Sequence, residues 1–219
     1  MKLNERAWAG QIISWIKQSI NDGTTLFEEA TNDEGIKLAS GKTKFPDVLL
    51  FIDKISGIVF NGWELKFPDT EADDNEMLEN ALEKAEKLKS NSFVTWNGTE
   101  AIIWKIEDDN YTTSGLQKLK VYPKETDITN RNDLADRNNY NKHEAKLQKR
   151  LNEILHDLEN LYKSGELKQA INISGNFVDA VRAASEIILP QFKDEIIKLK
   201  GTNAPFRKEF NQWKIYESS

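Results

Sequence analysis

Asp47 follows Pro46 at the head of the apolar run Val48-Leu49-Leu50-Phe51-Ile52, and after sixteen intervening residues comes Glu64-Leu65-Lys66. Two carboxylates and a lysine in this order suit hydrolysis of a phosphodiester. That reaction needs charge neutralised on the phosphoryl oxygens, a water activated and aligned, and the leaving oxygen stabilised; divalent cations supply much of this. Magnesium takes oxygen ligands and keeps several waters, so two carboxylates and one backbone carbonyl suffice as protein ligands. Asp47, Glu64 and the Leu65 carbonyl are such a set. Lys66 would orient or deprotonate a water, or stabilise charge in the transition state.

The chemistry holds only if the chain brings these residues together. Val48–Ile52 is short and wholly apolar, which suits a strand buried on both faces. Residues 53–57 make a turn, and Ile58–Lys66 is rich in strand formers. Glu64 and Lys66, two apart on a strand, share a face with Gly62, while Trp63 and Leu65 point the other way. If the two strands pair through the turn, Asp47 comes near Glu64. Before them, Trp8, Ile12, Trp15, Ile16 and Ile20 have helical spacing, ended by Asn21-Asp22-Gly23. Thr25-Leu26-Phe27-Glu28 fits a capping box and predicts a short second helix. After them, Met77, Leu78, Ala81, Leu82, Ala85 and Leu88 predict a helix over 74–89. Residues 92–96 and 101–106 are expected to be strands joined by the Asn97-Gly98 hairpin turn.

In this sequence, Phe45-Pro46-Asp47 followed by Glu64-Leu65-Lys66, with the second half on a strand that leads into a helix and another strand, resembles the PD-(D/E)xK nuclease superfamily. The segment Trp63–Thr70 is also similar to the N-terminal nuclease domains of restriction enzymes fused to a methyltransferase. The likeness covers residues 4–106. It implies an α/β fold, a restriction-endonuclease-like four-stranded mixed sheet flanked by helices. It implies Asp47 and Glu64 as metal ligands, Lys66 as the catalytic lysine, and a magnesium-dependent endodeoxyribonuclease of the type II restriction kind, with manganese able to substitute. Many members add a glutamate from the first helix. Glu5 is the first candidate, with Glu28 and Glu29 competing; a helix-dipole charge is the alternative role for Glu5 and a capping box, which is favoured, for Glu28.

Each residue alone also fits a plainer role: Asp47 as a cap after proline, Glu64 and Lys66 as solvent-facing positions on an edge strand. Asn80 and Lys84, four apart on the 74–89 helix, either face the site or snorkel at the edge of the apolar stripe, and the second is favoured. Asp69, Asp73 and Asp74 crowd the loop after Lys66 and are candidates for a second metal, with helix N-terminal charge the favoured role for Asp73 and Asp74.

The rest of the chain carries no chemical motif. We read a nuclease domain over 1–110, a polar linker over 111–132 and an all-helical region over 133–219. In that region Leu147, Leu151, Ile154, Leu155, Leu158 and Leu161 form a packing stripe. Breaks are expected near Gly165, Gly175 and Pro190, and a last helix over 206–216. His143 and His156 are read as surface residues.

Composition narrows the alternatives. With no cysteine and two histidines, thiolate or zinc chemistry has too few ligands. No apolar run approaches the ~20 residues of a membrane span, and no apolar leader opens the chain, so a cytoplasmic protein is expected. The net charge of −6 over 219 residues is unlike that of a free-standing DNA-binding domain. DNA is the expected substrate, with the grip on phosphate supplied either by local basic clusters such as Lys42 and Lys44 or by a DNA-reading or methyltransferase module of a longer protein. Cutting both strands calls for two sites, hence a dimer or transient pairing on DNA. The competing readings are a non-catalytic interaction module on the same fold and a nuclease for branched DNA or RNA.

Overall fold

The computed structural model describes residues 4–32, 35–37, 43–170 and 192–217. Residues 1–172 and 173–219 form two compact units.

In the first unit, helix α1 (Glu5–Asn21) starts where the Asn4 side chain accepts the Ala7 N–H, at 2.8 Å. It buries Trp8, Ile12, Trp15 and Ile16 along one stripe. Strand β1 (Glu29–Thr31) follows. A two-strand hairpin, β2 (Ile36–Lys37) with β3 (Thr43–Lys44), leads to β4 (Val48–Asp53) and β5 (Ile58–Leu65). Helix α2 (Asn75–Leu88) then crosses over to β6 (Ser92–Trp96), β7 (Ala101–Ile106), a 3-10 turn (Thr113–Gly115) and β8 (Leu116–Tyr122). Helices α3 (Arg131–Ala135) and α4 (Arg137–Lys163) complete the unit.

The sheet has six strands in the order β1-β4-β5-β6-β7-β8. Among the described strands only β5 and β6 run parallel, and α2 is the crossover that such a pair requires. Both faces are covered. Trp63, Leu65, Val94 and Ile103 point to α1 and α4, while Phe93, Ile102 and Trp104 meet Leu78, Ala81, Leu82 and Ala85 of α2. This explains why Val48–Ile52 of β4 reads as a continuous apolar run rather than an alternating one, and why every residue of β6 is buried.

Three expectations need correction. No helix begins at Thr25. The Glu28 N–H instead donates to the Phe51 carbonyl, its carboxylate accepts the Lys54 N–H, and β1 pairs with β4. The Leu26 N–H is taken by Glu159 of α4. A four-residue capping pattern loses here to a ladder with tertiary partners. The stretch over 111–132 is not a linker, because β8 zips along β7 from Leu116↔Ile106 to Tyr122↔Ala101. The sheet accordingly has six strands where the resemblance implies four. Helix α4 belongs to the same core as α1: Leu147, Leu151, Ile154, Leu155 and Leu158 are buried in it, so the leucine stripe is a seam against the sheet.

In the second unit, residues 192–202 are helical and are followed by α5 (Ala204–Glu217). The break expected at Gly175 and the one at Pro190 lie outside the described residues. Among the described residues no helix is long and apolar enough to cross a membrane.

Candidate active site

The strand register fixes the first relationship. Val48 pairs with Trp63 and Leu49 with Gly62. Continued by one residue, this sets Asp47 opposite Glu64. The Asp47 N–H donates to the Trp63 carbonyl at 3.1 Å, and Asp47 Oδ2 accepts the Leu65 N–H at 2.8 Å. Pro46 fixes the approach of the chain, and the Asp47 carboxylate closes the end of the β4–β5 ladder.

The second relationship comes from the parallel strand. Leu65 pairs with Trp96, and the Lys66 N–H donates to the Trp96 carbonyl at 3.1 Å. Lys66 thus leaves the sheet just beyond β5. Its ammonium donates to Glu5 Oε2 at 3.3 Å, with both side chains about one-third exposed, 33% and 39%. Asp47, Glu64, Leu65, Lys66 and Glu5 therefore meet at one end of the sheet.

Pleating sends Glu64 and Gly62 to the α2 side and Trp63 and Leu65 to the opposite core. There Lys84 of α2 donates to Glu64 Oε1, both residues being buried, 7% and 5% exposed. The snorkelling expected of Lys84 is corrected by this pair: its ammonium turns inward to a carboxylate. Asn80 has a different partner, accepting Lys44 Nζ at 2.7 Å, and the same ammonium reaches Glu83 at 2.6 Å. Of the competing acids, Glu28 accepts the Lys54 N–H and Glu29 pairs with Lys17 and Lys54, away from Lys66. Asp74 caps α2, and Asp73 pairs with Lys118 at 2.8 Å. His156 is exposed; His143, expected at the surface, is buried with Nδ1 3.6 Å from Asp127.

The electrostatics of the cluster follow from burial against charge. Burial raises the Glu64 carboxyl to about 7; Lys84 pulls against this and Asp47 adds to it. Burial also raises Asp47, opposed by the Leu65 N–H, Lys84 and Lys66 and reinforced by Glu5. For Lys66, burial favours the neutral amine, but Glu5, Asp47 and Glu64 together outweigh it and hold the ammonium above the ordinary lysine value.

The donors are all oxygen, and one Asp47 oxygen has no hydrogen-bond partner among the described residues. Two carboxylates whose proton affinity is raised by burial, with Asp47 raising Glu64 further, fit a hard divalent cation. Among the described residues no group of three or more histidine, aspartate and glutamate side chains is arranged to hold a metal. A cation here would thus take Asp47, Glu64, the Leu65 carbonyl and water.

No family model, no curated protein and no solved structure matches the chain.

Proposed function

We propose that this chain is a magnesium-dependent endonuclease that hydrolyses DNA phosphodiester bonds, the cleavage part of a restriction or defence enzyme, with manganese able to replace magnesium. The observation that carries the proposal is the meeting of Asp47 and Glu64 across two paired strands with Lys66 at the strand end and Glu5 bonded to it. A PD-(D/E)xK site needs that arrangement in three dimensions, and a short pattern in the sequence does not guarantee it.

Asp47, Glu64 and the Leu65 carbonyl would hold the cation, which when bound supplies Lewis-acid stabilisation of phosphoryl charge and lowers the pKa of a water. Glu5 keeps Lys66 charged and aimed along the sheet end. As an ammonium, Lys66 donates to a water or to a phosphoryl oxygen and stabilises negative charge there. The Leu65 N–H fixes one Asp47 oxygen and leaves the other free to bind. Substrate identity is tested by a panel of duplex, branched and single-stranded DNA and RNA with magnesium. The proposal expects duplex DNA to be cut fastest; cleavage of RNA or branched DNA alone would replace the substrate assignment.

One observation favours a second reading, a non-catalytic module on the same fold: Lys84 already neutralises Glu64 within the protein. Metal binding that disappears in Asp47→Ala would count against that alternative.

A further inference from the structure

Lys84 sits on the buried face of α2, among Met77, Leu78, Ala81, Leu82, Ala85 and Leu88. A lysine in such company normally extends its ammonium to water. This one instead holds Glu64 Oε1, and its charge also attracts the Asp47 carboxylate. One ammonium therefore serves the two carboxylates that a divalent cation would share. Space beside the pair is short. The cavity lined by Gly62, Glu64, Ala81, Lys84, Ala85 and Phe93 measures about 10 Å³, room for no more than roughly one water. A cation approaching Glu64 from this side must use the volume that the ammonium fills.

We propose that Lys84 is a built-in competitor of the divalent cation: its ammonium holds the Glu64 carboxylate until a metal ion displaces it, and so sets the metal concentration at which the site loads. The inference rests on the metal-dependent reading above and adds a residue to it. Two like-charged ions near one carboxylate repel strongly in a desolvated setting. Removing the lysine charge while keeping a donor should therefore tighten metal binding.

The test is manganese binding to the full chain, followed by the electron paramagnetic resonance of free Mn²⁺, for the wild type, Lys84→Gln and Lys84→Arg. Lys84→Gln keeps a hydrogen-bond donor without the charge and is expected to bind on the order of tenfold tighter. Lys84→Arg should bind as the wild type does, and Asp47→Asn should abolish binding in every background. A second measurement needs no variant. With ¹⁵Nζ-labelled lysine, the Lys84 ammonium signal, sheltered from exchange in the buried pair, is expected to broaden or move as magnesium is added. Wild-type binding with equal or weaker binding by Lys84→Gln, or a Lys84 signal unchanged at saturating magnesium, overturns the competitor role and leaves the metal site standing. No Mn²⁺ binding by any protein overturns both.

Discussion

Lys66, just past the end of β5, donates its ammonium to Glu5, the first residue of α1, at 3.3 Å, although the two are 61 positions apart in sequence. This contact ties the helix start to the end of the sheet where Asp47, ahead of β4, faces Glu64 of β5. It gives Glu5 a role that a charge at the helix N-terminus does not explain by itself.

Glu5→Gln is therefore expected to slow DNA cleavage by roughly 10- to 100-fold, the size of effect seen for groups that orient a catalytic ligand. Because the pair is partly exposed, stability should change by less than about 1 kcal/mol. Initial rates of plasmid nicking and urea denaturation check the two halves separately. A full-rate Glu5→Gln enzyme would leave Glu5 as a dipole charge only.

The Glu64 carboxyl, raised to about 7 by burial against the pull of Lys84, makes stability depend on pH. Its folded value lies above its unfolded one, so the native state binds the extra proton and stability falls as pH rises from about 4.5 to about 7. The slope from one such group is at most about 1.4 kcal/mol per pH unit. Glu64→Gln should remove it. Denaturation midpoints of the two proteins measured across this window should diverge from each other; parallel curves would argue that Glu64 does not titrate there. Metal binding should strengthen over the same rise in pH, as the carboxylate becomes available.

Breaking the buried Lys84–Glu64 pair from one side leaves an uncompensated charge. Lys84→Met is expected to cost about 3–5 kcal/mol in chemical denaturation, and the double change Lys84→Met with Glu64→Leu much less. Equal losses in the single and double variants would mean that packing, not charge, sets the cost.

The parts of this fold legible in the sequence are those where pattern and burial coincide. Val48–Ile52 and Ser92–Trp96 read as strands because both faces of the sheet are covered, and α1 and α2 read as helices because each packs one apolar stripe. Strand β8 is not legible. It lies at the sheet edge, with Gln117, Lys118, Lys120 and Val121 exposed, so its apolar residues do not form a run. Asp47, Glu64 and Lys66 could be named from the motif and its spacing, whereas Glu5 could be named only as the first of three candidate glutamates, because the motif fixes no spacing to the first helix. Lys84 could not be assigned to Glu64, because helical spacing places it only near the stripe, and the partner is set by how α2 packs on β5. The signal that existed was its position, three residues from Ala81 and four from Leu88, on the face turned to the sheet.

The central claim, that Asp47, Glu64 and Lys66 form a hydrolytic site, is tested most directly by incubating supercoiled plasmid with magnesium or manganese and the wild type or Lys66→Ala. We predict metal-dependent nicking by the wild type and a loss of at least about 100-fold in Lys66→Ala, the scale of a positioned acid–base or electrostatic group. Nicking that continues unchanged in Lys66→Ala, or an absence of nicking by the wild type at every metal concentration, would contradict it.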